Sequence, residues 1–370
     1  MFIRKAIIRN FNDALNLVKY TGASEKILQS LAYKGIHNSI IIHNMDNKAL
    51  NILKQEALSI GADVAINKTI SQFKYGSSNA VLFANNSQMI KLIAKLIPQP
   101  FGLHKFALQL NKILNDKIVF QCKRQCFYLD KPILMGVIQI ADLKHNNNDL
   151  IERAIQFASL GINIIALKTN RKLCNLNHNI MQKLFSILRI IRKNINIPIA
   201  IEVYKYTTAK IALDEGADII YDLFSLSKEK NKLAALIKQQ QAGIILTSNS
   251  KIKKIQMQEN ADCIVSELYN FFLCKKNYAI THGITEQQIA IDILVDSVKN
   301  FVLLKDLKIF SSIGAVIGSF FNPYVVKRNN LKNNLIASLL IFLYGGNIIK
   351  VFNAKNAISI LHYINILNQT

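Results

Sequence analysis

Ile133-Leu134-Met135-Gly136-Val137-Ile138-Gln139-Ile140 is a near-continuous apolar run of strand length, and the residues after it repeat the pattern. The later runs are INIIALK (162–168), IPIAIEV (197–203), ADIIYD (217–222), AGIILTS (242–248), QIAIDILV (288–295), IGAVIGSF (313–320) and NIIKVF (347–352). Amphipathic helical spacing follows each run, so the repeating unit is strand plus helix, about 25 to 40 residues long, the sign of a parallel sheet. Strands that are apolar at nearly every position fit burial on both faces, against a barrel core inside and helices outside. Gly161, Gly216, Gly243, Gly314 and Gly346 stand just before or at strand starts, where a helix-to-strand turn tolerates no Cβ strain. An open doubly wound sheet is the competing arrangement. Eight units in one uninterrupted series favour closure, and about 240 residues is an ordinary length for a closed (β/α)8 TIM barrel. The expected fold is therefore α/β, with a barrel over residues 130–370.

Upstream, residues 1–120 read as a small α/β N-terminal domain. Strand patterns fall at 3–9 (IRKAIIR), Asn38–His43 and Ala80–Ala84, with helices around 45–60 and 86–97 and a third at 104–115. Gly61 is a helix end before a strand, and Ile97-Pro98-Gln99-Pro100-Phe101-Gly102-Leu103 must turn. Lys117 to Phe120 reads as a strand that closes this unit or bridges to the barrel.

Composition narrows the setting. The first thirty residues break their apolar positions with Arg9, Asn10, Asp13 and Lys19, unlike an export signal. The longest apolar stretch, Leu335 to Ile349, contains Gly345-Gly346 and is shorter than the roughly 20 residues of a membrane span. It reads as a buried helix running into a buried strand, and the expected location is the cytoplasm. The five cysteines, Cys122, Cys126, Cys174, Cys263 and Cys274, form no paired CxxC units and read as reduced thiols, in preference to a metal site at Cys122 and Cys126. The formal charge of +23 would suit a polyanion such as nucleic acid. The lysines are dispersed, however, and abundant Lys, Asn and Ile without Trp is what AT-biased codons produce, so a nucleic-acid partner is the lesser reading.

In a barrel the chemistry sits where strands end. The polar tips here are Gln139 and Asp142, Lys168 and Arg171, Glu202, Asp222, Thr247-Ser248, Asp292 and Asp296, Asn322, and Lys350 with Asn353. Glu202 and Asp292 interrupt otherwise apolar strands, where an unpaired charge is costly. Each needs a partner, either a neighbouring lysine or backbone amide or a ligand that offers N–H donors.

Several stretches resemble the dihydropteroate synthase family in order and spacing. Leu134-Met-Gly-Val-Ile-Gln-Ile140 is similar to its first-strand motif, and Ile199-Ala-Ile-Glu-Val-Tyr-Lys205 with Ala212-Leu-Asp-Glu-Gly-Ala-Asp-Ile-Ile-Tyr-Asp222 to its Ser-Ile-Asp-Thr and Gly-Ala-x-x-Ile-Asn-Asp pair. Ile291-Asp292 through Lys299-Asn300 and Leu303-Leu304 follows its Asp-Pro-Gly segment, and Val316-Ile-Gly318-Ser319 and Gly345 to Val351 track its last strands. Asn51 to Asp63 and Gln99 to Leu103 resemble an N-terminal extension carried by a subset of bacterial members.

The resemblance implies that 4-aminobenzoate displaces pyrophosphate from a dihydropterin pyrophosphate in folate biosynthesis, with Mg²⁺ assisting, in a homodimer. It implies pterin binding by Asp292, Glu202, Asp222, Tyr221, Gln139 and Gly318, a metal contact at Gln139, and catalytic cations at Lys299, Lys350 and Arg171. The chain also departs from the family pattern. Gln139 stands for an asparagine, Tyr221 for a pterin-contacting asparagine, Phe320-Phe321-Asn322 for Ser-Arg-Lys, and Phe352-Asn353 for His-Asp. Three readings follow: a working divergent synthase, a catalytically degraded pterin binder or subunit partner, and a basic nucleic-acid-associated protein.

Overall fold

A computed structural model describes most residues from Phe11 to Gln369, together with a few of the first ten. Residues 69–75, 116–117, 130, 141–146, 170–177, 228, 249–260, 296–305 and 321–330 lie outside this description. The chain forms two units, Met1–Asp116 and Lys117–Thr370.

In the first unit, helices α1 (Phe11–Lys19) and α2 (Glu25–Gly35) precede a three-stranded antiparallel sheet of order β1-β3-β2. Its strands are β1 (His37–Asp46), β2 (Asp63–Ile66) and β3 (Ser77–Asn85), and helices α3 (Asn47–Leu58), α4 (Asn86–Leu96) and α5 (Leu103–Asn115) share their core with it. Local signals set the helix starts. Asp46 accepts from the backbone N–H groups of Lys48 and Ala49, and Asn85 forms a capping box with Gln88, so exposed N–H groups at both starts are satisfied. Gly61 follows α3 with φ +76°, as a helix-ending glycine should. The strand expected at 3–9 lies largely outside the described residues.

The second unit opens with a hairpin, β4 (Val119–Gln121) and β5 (Cys126–Tyr128), and then closes the barrel. Its strands are β6 (Ile133–Ile140), β7 (Ile164–Thr169), β8 (Ile199–Val203), β9 (Ile219–Asp222), β10 (Gly243–Thr247), β11 (Ile289–Val295), β12 (Ala315–Phe320) and β13 (Ile348–Val351). They pair in parallel in chain order, with β13 returning to β6. The helices between and after them are α6 (Asn147–Ser159), α7 (His178–Asn194), α8 (Tyr206–Asp214), α9 (Lys230–Gln240), α10 (Ala261–Thr281), α11 (Leu331–Leu343) and α12 (Ala354–Gln369), with a 3₁₀ turn at Leu307–Ser312 after β11. All eight expected strands are present, and the fold is the (β/α)8 barrel.

Strand alternation explains both apolar faces. Leu134, Ile138, Ile165, Leu167, Ile201, Ile291 and Ile349 pack outward with the helices, whereas Met135, Val137, Ile164, Ala166, Ala200, Ile219, Ala290 and Ile348 fill the interior. Gly136 is outward, and a Cβ there would stand 2.6 Å from Phe157 Cδ2, so the glycine lets α6 close onto β6. Phe120, Cys122, Phe127 and Leu129 of the hairpin region join the interior cluster and plug the end of the barrel where the strands begin. The strand expected at 117–120 corresponds to β4, Val119–Gln121, the first arm of this plug; Lys117 lies outside the described residues. At that same end Asp218 accepts from the Ile199 N–H, meets Arg192 at 2.7 Å and faces Arg124 at 3.0 Å.

The stretch Leu335 to Ile349 is corrected in one respect. It is a helix leading into a buried strand, but Ile336 and Leu343 are more than half exposed, so α11 is not buried all round. Among the described residues, no helix is long and apolar enough to cross a membrane.

Candidate active site at the strand ends

Alternation places the chemistry. On each strand the interior-facing series continues from apolar residues to a polar tip: Met135-Val137-Gln139, Ile164-Ala166-Lys168, Ala200-Glu202, Ile219-Tyr221, Ala290-Asp292 and Ile348-Lys350. Six strands thus deliver side chains of the same parity to the mouth of the barrel. Gln139 is exposed there and pairs in register with Lys168. Glu202, Asp292 and Lys350 are buried, and Tyr221 is 1% exposed.

Two ion pairs organise this mouth. Lys350 Nζ lies 2.6 Å from Asp292 Oδ2 and donates to the Tyr221 hydroxyl at 2.7 Å. That hydroxyl in turn donates to Asp292 Oδ2. Lys168 Nζ lies 3.6 Å from Glu202 Oε2, and Tyr204 donates to Glu202 Oε1 at 2.8 Å. The Tyr221 ring separates the pairs, with Lys168 Nζ 4.2 Å and Lys350 Nζ 5.1 Å from its centroid, within cation–π range. Burial pulls the Lys350 ammonium down from 10.5 to about 7, opposed chiefly by the attraction of Asp292. Burying a carboxylate this deep without such partners would be costly.

Asp222 is the neighbour of Tyr221 in sequence but points to the other face of β9. Its carboxylate accepts from the backbone N–H groups of Phe224 at 2.9 Å and Leu226 at 2.6 Å, and burial raises its pKa. Ser225 and Leu226 adopt φ values of +48° and +53°, so the carboxylate holds a strained turn. Ser225 ties that turn to β10 by accepting from the Thr247 N–H and donating to the Thr247 carbonyl. Thus the structure brings Asp292, Glu202, Tyr221 and Lys350 together and gives Asp222 to the adjoining loop.

Gly318 lies in β12, paired with Ile293 and Ile349. Arg171 and Lys299, the other expected cations, lie outside the described residues, as do Asp142, Asp296 and Asn322. Asn353 caps α12 by accepting from the Asn356 N–H at 2.8 Å. Tyr204 was not among the expected site residues, although it stands two positions beyond Glu202 and therefore on the same side of the chain as an inward carboxylate. A surface groove of about 860 Å³, lined by Asp149, Arg153, Asn353 and Lys355 among others, contains none of the buried mouth cluster.

Among the described residues, no group of three or more His, Cys, Asp or Glu side chains could hold a metal ion. Gln139 offers one neutral amide oxygen. That suits a magnesium ion that keeps its waters and is held chiefly by substrate phosphates, not one caged by protein.

The architecture defines a βα barrel whose mouth carries paired carboxylates and lysines. The family model described as pterin binding enzyme matches residues 141–316 of this chain. Over 98% of its length it is 26% identical to the whole of the bifunctional dihydropteroate synthase/dihydropteroate reductase of Helicobacter pylori. It is 22% identical to the dihydropteroate synthase of Bacillus subtilis over half of this chain and 68% of that protein. A dihydropteroate synthase of Coxiella burnetii, solved in complex with pteroic acid, superposes with a TM-score of 0.59 at 16% identity, covering 68% of this chain and 98% of that one. This last likeness bears on the fold.

Proposed function

We propose that the protein is a cytoplasmic dihydropteroate synthase that joins a dihydropterin pyrophosphate to 4-aminobenzoate. The observation that carries this reading is the pair of buried carboxylates, Asp292 and Glu202, each paired with a lysine, Lys350 and Lys168, at the barrel mouth. A pterin ring presents N–H donors along one edge, and ionised carboxylates are strong acceptors for them. Because their counter-ions are already in place, such a neutral edge can dock without an unpaired charge being created.

In the reaction the aminobenzoate nitrogen bonds to the pterin methylene carbon as the bond from that carbon to the pyrophosphate oxygen breaks. Pyrophosphate departs with the electron pair, and the amine loses a proton. The protein's work is to align the reactants and to place positive charge where the leaving group gathers negative charge. Lys350 and Lys168 supply cations in the described part of the mouth, and Lys299 and Arg171 belong to the segments that follow β11 and β7. Mg²⁺, carried in on the diphosphate with Gln139 as one oxygen donor, would neutralise the leaving group.

A second activity is proposed for the same chain. The Helicobacter pylori relative, matched over its whole length, is named for dihydropteroate reduction as well as synthesis, whereas the Coxiella burnetii synthase corresponds to only 68% of this chain. The N-terminal unit is the natural candidate for the difference. Oxidation of a reduced nicotinamide or flavin that depends on dihydropteroate, lost when residues 1–116 are removed, is the expected result.

Two copies would associate through the last helices, where Ile336, Leu343, Ile358 and Tyr363 are exposed apolar residues. Calorimetric titration with a pterin tests the binding reading. Asp292→Ala removes a charged acceptor from the mouth and should weaken binding roughly 100-fold. A wild-type protein that takes up no pterin, or a variant that binds equally well, would remove it.

A further inference from the structure

The Tyr221 phenol stands between the two ion pairs of the mouth and touches both. Its ring is buried among interior residues of the barrel, a role that phenylalanine could fill. Its hydroxyl is a different matter. It accepts from Lys350 at 2.7 Å and donates to Asp292 Oδ2, so it receives a hydrogen bond from the cation of a buried pair and gives one to the anion. Lys350 also reaches Asp292 Oδ2 directly at 2.6 Å. Two donors from different strands thus converge on one carboxylate oxygen. An ammonium acts as a point charge, and a second donor from another direction restrains the carboxylate plane further. On the other side of the ring, Lys168 sits over the aromatic face while it faces Glu202.

We infer that Tyr221 is a positioning residue that orients the two carboxylates together, Asp292 through its hydroxyl and Glu202 through the lysine held against its ring. The identity of the ligand they face rests on the pterin reading above; the coupling itself does not. Among the described residues, the charged and titratable groups around Lys350 are Asp292 on β11, Tyr221 on β9, Glu202 on β8 and Lys168 on β7, and the hydroxyl is the neutral member that links them. Hydroxyl and ring should therefore have separable effects.

The test compares Tyr221→Phe and Tyr221→Leu in the full chain. In ligand-free protein, the titration of the lysine side chains is followed by carbon-13 NMR, with the Lys350 and Lys168 signals assigned by their loss in Lys350→Met and Lys168→Met. Tyr221→Phe should lower the Lys350 midpoint by about one unit, the effect of one charged hydrogen bond, and leave Lys168 unmoved. Tyr221→Leu should move both. Pterin affinity, measured by calorimetry, should fall about tenfold in Tyr221→Phe, at a pH below both Lys350 midpoints. An unchanged Lys350 midpoint in Tyr221→Phe would overturn the inference, as would unchanged affinity where the wild type binds. A wild type that binds no pterin would end the functional reading, and the lysine titration would still decide the role of Tyr221.

Discussion

Lys350 Nζ and Asp292 Oδ2 lie 2.6 Å apart, on strands separated by one neighbour in the barrel, and both side chains are buried. Removing either charge takes away the other's ion-pair partner. Lys350→Met and Asp292→Leu should each destabilise the fold by about 3 to 5 kcal/mol, whereas the double variant, apolar at both positions, should recover most of that loss. Urea unfolding of the four proteins measures it. A double variant as unstable as the sum of the singles would mean that the pair is not a closed unit.

The same lysine sets a pH dependence with a definite sign. In the unfolded chain it titrates at its ordinary 10.5; in the fold, burial brings it to about 7. Between these values the unfolded chain holds more protons, so this group's contribution to stability rises as pH increases from about 7 to 10.5 and is least favourable below 7. The slope should vanish in Lys350→Met. Binding should run the other way: a pyrophosphate-bearing pterin should bind more weakly as pH rises through about 7, because the mouth loses a cation. Unfolding free energies and calorimetric affinities at pH 6 to 9, on both sides of the Lys350 midpoint of about 7, check the two slopes.

Asp222 should behave as a brace for the loop. Asp222→Ala removes the acceptor for the Phe224 and Leu226 N–H groups and should cost about 2 to 3 kcal/mol. Hydrogen exchange should show the 223–226 turn opening before the rest of the barrel. Unaltered exchange in that turn would contradict this role.

Far from the mouth, the Arg192–Asp218 pair holds the opposite end, and Arg192 also donates to the carbonyls of Gly216 and Ile197. Arg192→Met should lower stability by about 3 kcal/mol or more and leave pterin affinity unchanged. Thermal unfolding alongside a pterin titration separates the two effects.

Much of this was legible in the sequence because the barrel strands are apolar on both faces. Such runs as Ile133–Ile140 and Ile289–Val295 cannot be amphipathic surface strands, and their serial repetition gave the closed barrel. Glu202 and Asp292 were conspicuous as charges within those runs. Which partner satisfied them was not legible, since Lys168 and Lys350 lie on other strands and meet them only when the barrel closes. Asp222 enters the expected site as a polar strand tip and through the family resemblance; strand parity turns it to the face opposite Tyr221, where it holds the 223–226 turn. Tyr204 could have been found by the same count of two from Glu202. The hairpin's second arm, Cys126–Tyr128, is three residues long and carries too short a pattern to distinguish from a turn.

The proposed synthase reaction makes a product that is directly measurable. Purified full-length protein supplied with dihydropterin pyrophosphate, 4-aminobenzoate and Mg²⁺ should release pyrophosphate in step with dihydropteroate, and Asp292→Ala should abolish most of that release. Pterin binding without any pyrophosphate release above background would contradict the synthase reading and leave a binding protein built on the same barrel.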